Sequence, residues 1–253
     1  MTESALGMLD RVRLEKAATD AGFDVRQDAT GGWMSFASTS SPLRISLTVT
    51  EAKPVAALSM GNVLTELSMP SPASTALPVG TAGAFVVSHF SELQAALARA
   101  YELANALPTV LLETWHAQVK SLPATERDAT VRQRVGQELF RNGLLALWRG
   151  RCALTGLAVP ELLRASHAKP WRVATDEERL DVYNGLLLTA HLDAAFDIGL
   201  VGFTVDGKLR ISPRLGTAEL SVLGLNRPWA PINLRPQHVP YLDYHYNNVF
   251  MKA

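Results

Sequence analysis

A histidine and two aspartates in the C-terminal half of the sequence have types and spacing suited to hydrolytic chemistry. His167 ends an apolar run. Histidine has the ordinary pKa nearest to 7, so it can accept a proton from water at neutral pH. Asp193 and Asp197 lie four residues apart. If residues 191–198 form a helix, the two side chains share one face with Cβ atoms about 5–6 Å apart, and one cation can bridge them.

The ligand types also indicate which cation such a site prefers. Two carboxylates with open positions for water and phosphate favour a hard ion such as Mg²⁺ or Mn²⁺ over Zn²⁺. A cation at a phosphate lowers the barrier to phosphodiester hydrolysis, because the phosphorus centre and the leaving 3′ oxygen both gain negative charge. We therefore expect one divalent metal ion beside a histidine base.

Each of these residues taken alone also fits a structural role. Asp193 near a helix start can cap the helix or complement its dipole, whereas Asp197 lies at the wrong end for that. A lone histidine such as His167 is more often a hydrogen-bonded structural residue, and Asn184-Gly185 by itself is a turn signal. The functional interpretation depends on these residues occurring together, in one order and spacing.

Three sequence blocks carry a resemblance to a known family. They are Ser-His-x-x-Pro-Trp at 166–171, Asn-Gly-Leu-x-Leu at 184–188 and Phe-Asp at 196–197. In this order they resemble the HNH nuclease family, in particular a bacterial branch of restriction type. The resemblance implies a β-β-α-metal (His-Me finger) domain that cuts phosphodiester bonds with one metal ion and leaves 5′-phosphate and 3′-hydroxyl ends. It makes His167 the base and Asn184 the residue that fixes the loop orienting it.

The metal positions depart from the common pattern of that family. Counted from Asn184, the ninth and thirteenth positions, often His and His or His and Asn in the family, are Asp193 and Asp197. A histidine stands instead at His191, where other members of the branch carry an acid, so the His/Asp pair is exchanged. His191 can ligate the metal from the strand-helix junction or contact a phosphate. Ser166 replaces a His or Asp ligand, and a serine hydroxyl is a weak ligand.

The resemblance extends upstream, but the chain lacks one common feature of the family. Residues 134–145 and 150–156 are similar to the helix and hairpin entry of the branch, so the resemblance covers about residues 130–215. Many HNH domains bind a structural zinc through Cys-x-x-Cys knuckles, and at that place this chain has Cys152 and Thr155. The sequence holds one cysteine, so we expect no structural zinc knuckle.

Length and composition are typical of a soluble intracellular protein. The 253 residues suffice for one or two domains, and a hydrophobic content of 47% predicts ordered structure. No apolar run approaches the roughly 20 residues of a membrane span, and the first residues lack the pattern of a signal peptide. One cysteine excludes an internal disulfide and fits a reducing compartment. We expect a cytoplasmic protein without a membrane partner.

The distribution of charge is uneven. The formal net charge is zero, which argues against a surface that is basic throughout. Between residues 127 and 172, however, nine basic residues stand against three acidic ones. A polyanionic substrate needs such an approach, although a solvated helix face is the alternative. Lys169 and Arg172 flank the histidine block closely enough to bind phosphates, and Arg141 can do so from the preceding helix or form an internal ion pair.

The apolar pattern divides the chain into three parts: residues 1–108, 109–130 and 131–253. The first is an α+β module, the second a helix with a linker around 121–130, and the third the nuclease domain with a C-terminal tail. The predicted elements are helices at 4–22, 91–106 and 109–120, strands at 33–37, 43–49, 55–60, 85–88, 162–166 and 185–189, loops at 68–83 and 169–183, and a hairpin at 200–212.

No catalytic constellation is visible in residues 1–108. Trp33 and Phe36 could stack on a base, but we expect them to pack in a core. The module is therefore predicted to contribute target recognition rather than chemistry.

The sequence as a whole predicts an α+β protein with a β-β-α-metal nuclease domain and a separate N-terminal α+β module. The predicted function is metal-dependent cleavage of DNA, of restriction or genome-defence type, and the choice of DNA over RNA follows from the resemblance alone. The alternative is a nucleic-acid-binding protein with a decayed, non-catalytic site, which Ser166 and the exchanged His/Asp positions favour. Target sequence and oligomeric state stay open.

Overall fold

The β-prone segments of the first hundred residues form an antiparallel sheet. In the computed structural model, which describes residues 6–73, 75–121 and 129–252, each strand pairs with the next one along the chain. The strands are β1 Val25–Thr30, β2 Trp33–Ala37, β3 Ile45–Thr50, β4 Lys53–Leu58 and β5 Gly83–Val86. The apolar pattern misses β1 because Arg26 and Gln27 are polar. Pairing with β2 nevertheless makes this segment a strand.

Helices α1 Met8–Asp20, α2 Gly61–Leu67 and α3 Phe90–Ala106 accompany this sheet. α1 contacts β2 and β3, and α2 contacts β4 and β5. Trp33 and Phe36 are both buried, which confirms that they pack in the core. Residues 61–67 were not predicted to be helical.

The chain divides into two compact units, Met1–Asn105 and Ala106–Ala253. The second begins with α4 Pro108–Ser121, followed by α5 Ala129–Leu147. Pro108 begins α4, because a proline fits the first turn of a helix, where its missing N–H has no helical partner. Of the predicted linker at 121–130, residues 122–128 lie outside the described residues.

The rest of the second unit is built around a two-stranded hairpin. Its elements are β6 Leu163–His167, α6 Asp176–Leu180, β7 Gly185–Thr189, α7 Ala190–Asp197, β8 Val201–Phe203, β9 Leu209–Ile211, α8 Thr217–Val222 and α9 Val239–Asn248. β6 and β7 pair antiparallel, with Ser166 opposite Leu186 and His167 opposite Gly185. The described residues thus combine helices with small antiparallel sheets in an α+β arrangement. None of the described helices has the length and apolarity that crossing a membrane requires.

The segment between β6 and β7 is not the plain polar loop predicted for residues 169–183. It contains α6, which begins with a capping box: the Thr175 hydroxyl accepts from the Glu178 amide, and the Glu178 carboxylate accepts from the Thr175 amide. These bonds satisfy amide groups that a helix start leaves without partners, so even a five-residue helix forms. The prediction of a loop here was wrong because the capping pattern was overlooked.

Every residue of β7 is buried, because α5 and α7 both pack against it. Gly185 allows α5 to approach, since a Cβ atom there would lie only 2.4 Å from Cζ of Phe140. The asparagine-glycine pair is thus more than a turn signal. The glycine brings α5 against the end of the hairpin where His167 lies.

Candidate active site

The hairpin and α7 bring a serine and an aspartate together. Ser166 is buried on β6, and its hydroxyl donates a 2.5 Å hydrogen bond to a carboxylate oxygen of Asp193 on α7. Successive side chains of a strand point to opposite faces. Ser166 therefore faces α7, whereas His167, the last residue of β6, turns towards α5.

The imidazole of His167 is held between aromatic rings. It stacks on Phe140 of α5 with ring centroids 3.7 Å apart, and Trp171 meets it edge-on at 5.5 Å. Its Nε2 atom lies 3.0 Å from the carbonyl oxygen of Arg179. Because a carbonyl can only accept, Nε2 carries the proton and donates. In the neutral ring the lone pair is then on Nδ1, which is the atom able to take a proton from water.

Burial lowers the pKa of His167 to about 4, and the nearby positive charge of Arg179 adds to that lowering. The hydrogen bond to the Arg179 carbonyl acts in the opposite direction. At neutral pH the ring is therefore uncharged, as a proton acceptor must be, although this pKa makes it a weak base.

Asn184 ties the segment between the strands together. Its side chain is fully buried, and Oδ1 accepts from the amide of Lys169 at 2.7 Å. Nδ2 donates to the carbonyls of Lys169 and Glu178, at 3.2 Å and 2.8 Å. The Glu178 carbonyl immediately precedes the Arg179 carbonyl that His167 contacts. Asn184 thus bonds the peptide next to the carbonyl that His167 contacts, and its role in orienting the histidine stays a prediction.

Two carboxylates lie on one face of α7. Asp193 and Asp197 are one helical turn apart, and within the described residues neither forms an ion pair with a lysine, arginine or histidine. Although Asp197 is exposed, partial desolvation of its carboxylate and the negative charge of Asp193 raise its pKa to about 6. Oxygen ligands that repel each other in this way fit a hard divalent cation.

His191 does not join these carboxylates. It is exposed at the second residue of α7, two positions before Asp193 and therefore on another side of the helix. Across the described ranges, no three His, Cys, Asp or Glu side chains are grouped closely enough to hold a metal ion. The structure gathers Asp193, Asp197 and Ser166, and the role of His191 stays a prediction.

The basic residues selected from the sequence differ in what they contact. The Arg141 guanidinium donates to the carbonyls of Leu163 and Pro160, at 2.8 Å and 2.7 Å, and so fastens α5 to the start of β6. Lys169 binds both carboxylate oxygens of Glu178 at 2.6 Å. Both cations already have internal partners. Arg172 is exposed and available to a ligand.

Two further histidines of the second unit are buried. His245 on α9 is buried, stacks on Phe196 of α7 at 3.9 Å and contacts the Phe196 carbonyl through Nε2 at 2.9 Å. His238 is buried between Trp148 and Tyr183, which it meets edge-on. We assign both to packing.

Sequence reasoning missed three contacts of the site. Ser166 was treated as a weak metal ligand, but it is the hydrogen-bond donor to Asp193. Glu178 and Arg179 were not singled out, although the first binds Lys169 and the second supplies the carbonyl for His167. The Thr175-x-x-Glu178 capping pattern could have placed α6. No sequence signal predicts which backbone carbonyl meets a side chain.

Comparison with known protein families supports the resemblance. Residues 152–204 match the family model described as HNH endonuclease, which confirms the resemblance to that family over a shorter range than the predicted 130–215. The match includes β6, β7 and α7, and it indicates a nuclease-type function. No curated protein sequence matches the chain.

Proposed function

We propose that the protein is a metal-dependent endonuclease that hydrolyses DNA phosphodiesters, with a β-β-α-metal site formed by β6, β7 and α7. The observation that carries this proposal is the pair Asp193 and Asp197 on one face of α7, without a cationic partner in the described residues, beside the strand that ends in a neutral, oriented histidine. Restriction or genome defence is the biological role we favour.

Each residue has a defined part in this proposal. Asp193 and Asp197 would hold one Mg²⁺ or Mn²⁺ ion, and His191 is a further predicted ligand or phosphate contact. When bound, the ion would supply stabilisation of the charge that develops on the phosphate and the leaving 3′ oxygen. Ser166 fixes one oxygen of Asp193. That bond leaves the other carboxylate oxygen for a ligand.

His167 would take the proton from the attacking water through Nδ1, since Nε2 is bonded to the Arg179 carbonyl. Asn184 keeps that carbonyl in place through its bond to the neighbouring peptide. Stacking on Phe140 restrains the ring, so little reorganisation is needed during proton transfer. The products are a 5′-phosphate and a 3′-hydroxyl.

The second candidate function is DNA binding by a decayed nuclease site. The separation of His191 from the two aspartates favours it, because no three-ligand group is formed within the described ranges. A calorimetric titration with Mn²⁺ and a plasmid-nicking assay with and without chelator separate the two functions. The nuclease proposal requires Mn²⁺ binding and chelator-sensitive nicking. DNA binding with neither property would establish the decayed site instead.

A further inference from the structure

A cleft of about 520 Å³ lies next to His167 in the second unit. Its lining comes from α4, α5 and the segment between β6 and β7, and includes Trp115, Arg132, Trp171, Arg172, Asp176 and Arg179. Two of these residues also contact the histidine: Trp171 meets its ring edge-on, and the backbone carbonyl of Arg179 accepts a hydrogen bond from its Nε2. The cleft and the candidate base thus share two contacting residues.

The lining carries more positive than negative charge. Asp176 is its one carboxylate, and it lies 2.8 Å from Arg179 and 3.9 Å from Arg132. Arg172 is exposed, and no ion pair or hydrogen bond engages it within residues 6–73, 75–121 and 129–252. Three guanidinium groups facing one carboxylate favour an anionic ligand.

Two of these guanidinium groups are held in position by indole rings. The Arg132 group lies 5.2 Å from the ring of Trp115, and the Arg179 group lies 5.2 Å from the ring of Trp171. The Nε atom of Arg179 also donates to the Trp171 carbonyl at 2.9 Å. A restrained arginine loses less rotamer freedom when it binds an anion.

The close packing of the cleft wall requires a glycine. A Cβ atom at Gly136 of α5 would lie 2.7 Å from the Trp171 ring. The missing side chain lets α5 and the segment after β6 approach each other. The two tryptophans and their arginines consequently line one cleft.

We propose that this cleft binds a phosphodiester group of the DNA strand next to the scissile one, through Arg132, Arg172 and Arg179. The position next to the scissile phosphate rests on the proposed nuclease function, whereas anion binding rests on the cleft itself. Of the basic residues chosen from the sequence, Lys169 and Arg141 do not line the cleft. Arg132 and Arg179 do, and they replace those two residues as phosphate contacts.

The test compares two exposed arginines of the cleft with an exposed arginine outside it. Full-length protein is titrated with a fluorescent DNA duplex in chelator, so that no cleavage occurs, at several salt concentrations. Arg132→Gln and Arg172→Gln should each weaken binding roughly fivefold and lower the salt slope by about one unit. Arg134→Gln, an exposed arginine two positions along α5 that does not line the cleft, should leave both nearly unchanged. Equal effects of all three variants would overturn the proposal.

A second pair of variants is expected to gain affinity. It serves as a control because a loss of folding in Arg132→Gln would also weaken DNA binding. Asp176→Asn removes the carboxylate that competes for Arg132 and Arg179, so it should strengthen DNA binding. Glu177→Gln removes the same charge from the neighbouring exposed residue, which does not line the cleft. A larger gain for Asp176→Asn supports the cleft. An equal gain would mean that only overall charge matters, and would overturn it.

The same variants distinguish this proposal from the nuclease function. If the wild type nicks plasmid DNA but the arginine variants bind DNA as tightly as the wild type does, the proposed role of the cleft is wrong and the nuclease proposal is retained. If no nicking is found but Arg172→Gln and Asp176→Asn change affinity as expected, the cleft binds DNA phosphate and the nuclease proposal fails.

Discussion

At the scale of single residues, the hydrogen bond from His167 to the Arg179 carbonyl decides which nitrogen can act as a base. It places the proton on Nε2 and the lone pair on Nδ1. Burial keeps the ring neutral well below pH 7. A base of low pKa is a weak one. The proposed mechanism therefore depends on the position of Nδ1 more than on its basicity.

The first prediction concerns this histidine. His167→Ala should lower cleavage about 10²–10⁴-fold while leaving DNA affinity nearly unchanged, because the buried ring is neutral at pH 7 and offers no charge to attract phosphate. Plasmid nicking and duplex titration measure the two effects. His89→Ala, at an exposed position of the first unit, is the control. A His167→Ala variant that remains active would remove the histidine from the mechanism.

The second prediction concerns the repulsion between the carboxylates of α7. The raised pKa of Asp197 means that its charged form is disfavoured in the folded chain. Asp197→Asn should therefore raise the metal-free free energy of unfolding at pH 7 by up to about 1 kcal/mol, after allowance for solvent screening of this exposed group. The same change should weaken Mn²⁺ binding and abolish cleavage.

Urea unfolding in chelator and Mn²⁺ calorimetry measure these two effects. Asp243→Asn replaces an exposed carboxylate on α9 and should change neither quantity. Unaltered Mn²⁺ affinity in Asp197→Asn would show that any bound ion lies elsewhere.

At the scale of elements, the sequence predicted the parts of the site better than their contacts. Apolar runs located β6 and β7 to within one residue, and the helix assumed at 191–198 is present as α7 at Ala190–Asp197. The spacing of Asp193 and Asp197 correctly predicted one helix face. Short or polar elements such as α6 and β1 left no such pattern, because capping and sheet pairing form them.

The sequence also did not predict which groups the basic side chains contact. Lys169 was expected to contact phosphate because it adjoins the histidine block. In the structure α6 brings Glu178 within 2.6 Å of its amino group. Arg141 likewise binds backbone carbonyls of residues about twenty positions away. Such partners come from tertiary packing, which no local pattern encodes.

The third prediction tests how Asn184 connects β7 to the rest of the site. Asn184→Ala removes a buried side chain that hydrogen-bonds to Lys169 and Glu178. Leaving these backbone groups without partners should cost about 1–3 kcal/mol of stability. Cleavage should fall because the peptide that orients His167 is released, while Mn²⁺ affinity stays close to that of the wild type.

The control for this change is Asn248→Ala, which removes an exposed amide that bonds the Tyr244 carbonyl one turn earlier in α9. It should have little effect on stability or nicking. If Asn184→Ala lost stability but kept full activity, the asparagine would be structural only.

At the scale of the whole molecule, buried histidines make stability depend on pH. His167 and His238 have pKa values lowered to about 4, in both cases chiefly by burial, and that of His245 is also lowered. An unfolded histidine titrates near 6.5. Between these values the unfolded chain binds more protons, so stability present above pH 6.5 is lost as the pH falls towards 4.

The fourth prediction follows from that sign. Each of His167 and His238 should remove about 2 kcal/mol from the free energy of unfolding between pH 7 and pH 5. Urea unfolding of the metal-free protein at the two pH values measures the loss. His238→Gln should reduce it by about half, whereas His89→Gln should not. An equal pH dependence in all three proteins would contradict the assignment.

The fifth prediction separates the tasks of the two units. Every residue assigned to chemistry lies in Ala106–Ala253, and α4 packs against α5 and α6 within that unit. A fragment from Ala106 to Ala253 should therefore fold, bind Mn²⁺ and nick DNA slowly, but lose the target preference of the whole protein. A fragment from Leu122, which lacks α4 and the buried Leu111 and Trp115, should be markedly less stable.

Nicking of a mixed-sequence plasmid by the Ala106–Ala253 fragment and by the full chain compares their target preferences. Full target choice in the shorter protein would refute the recognition role proposed for the first unit.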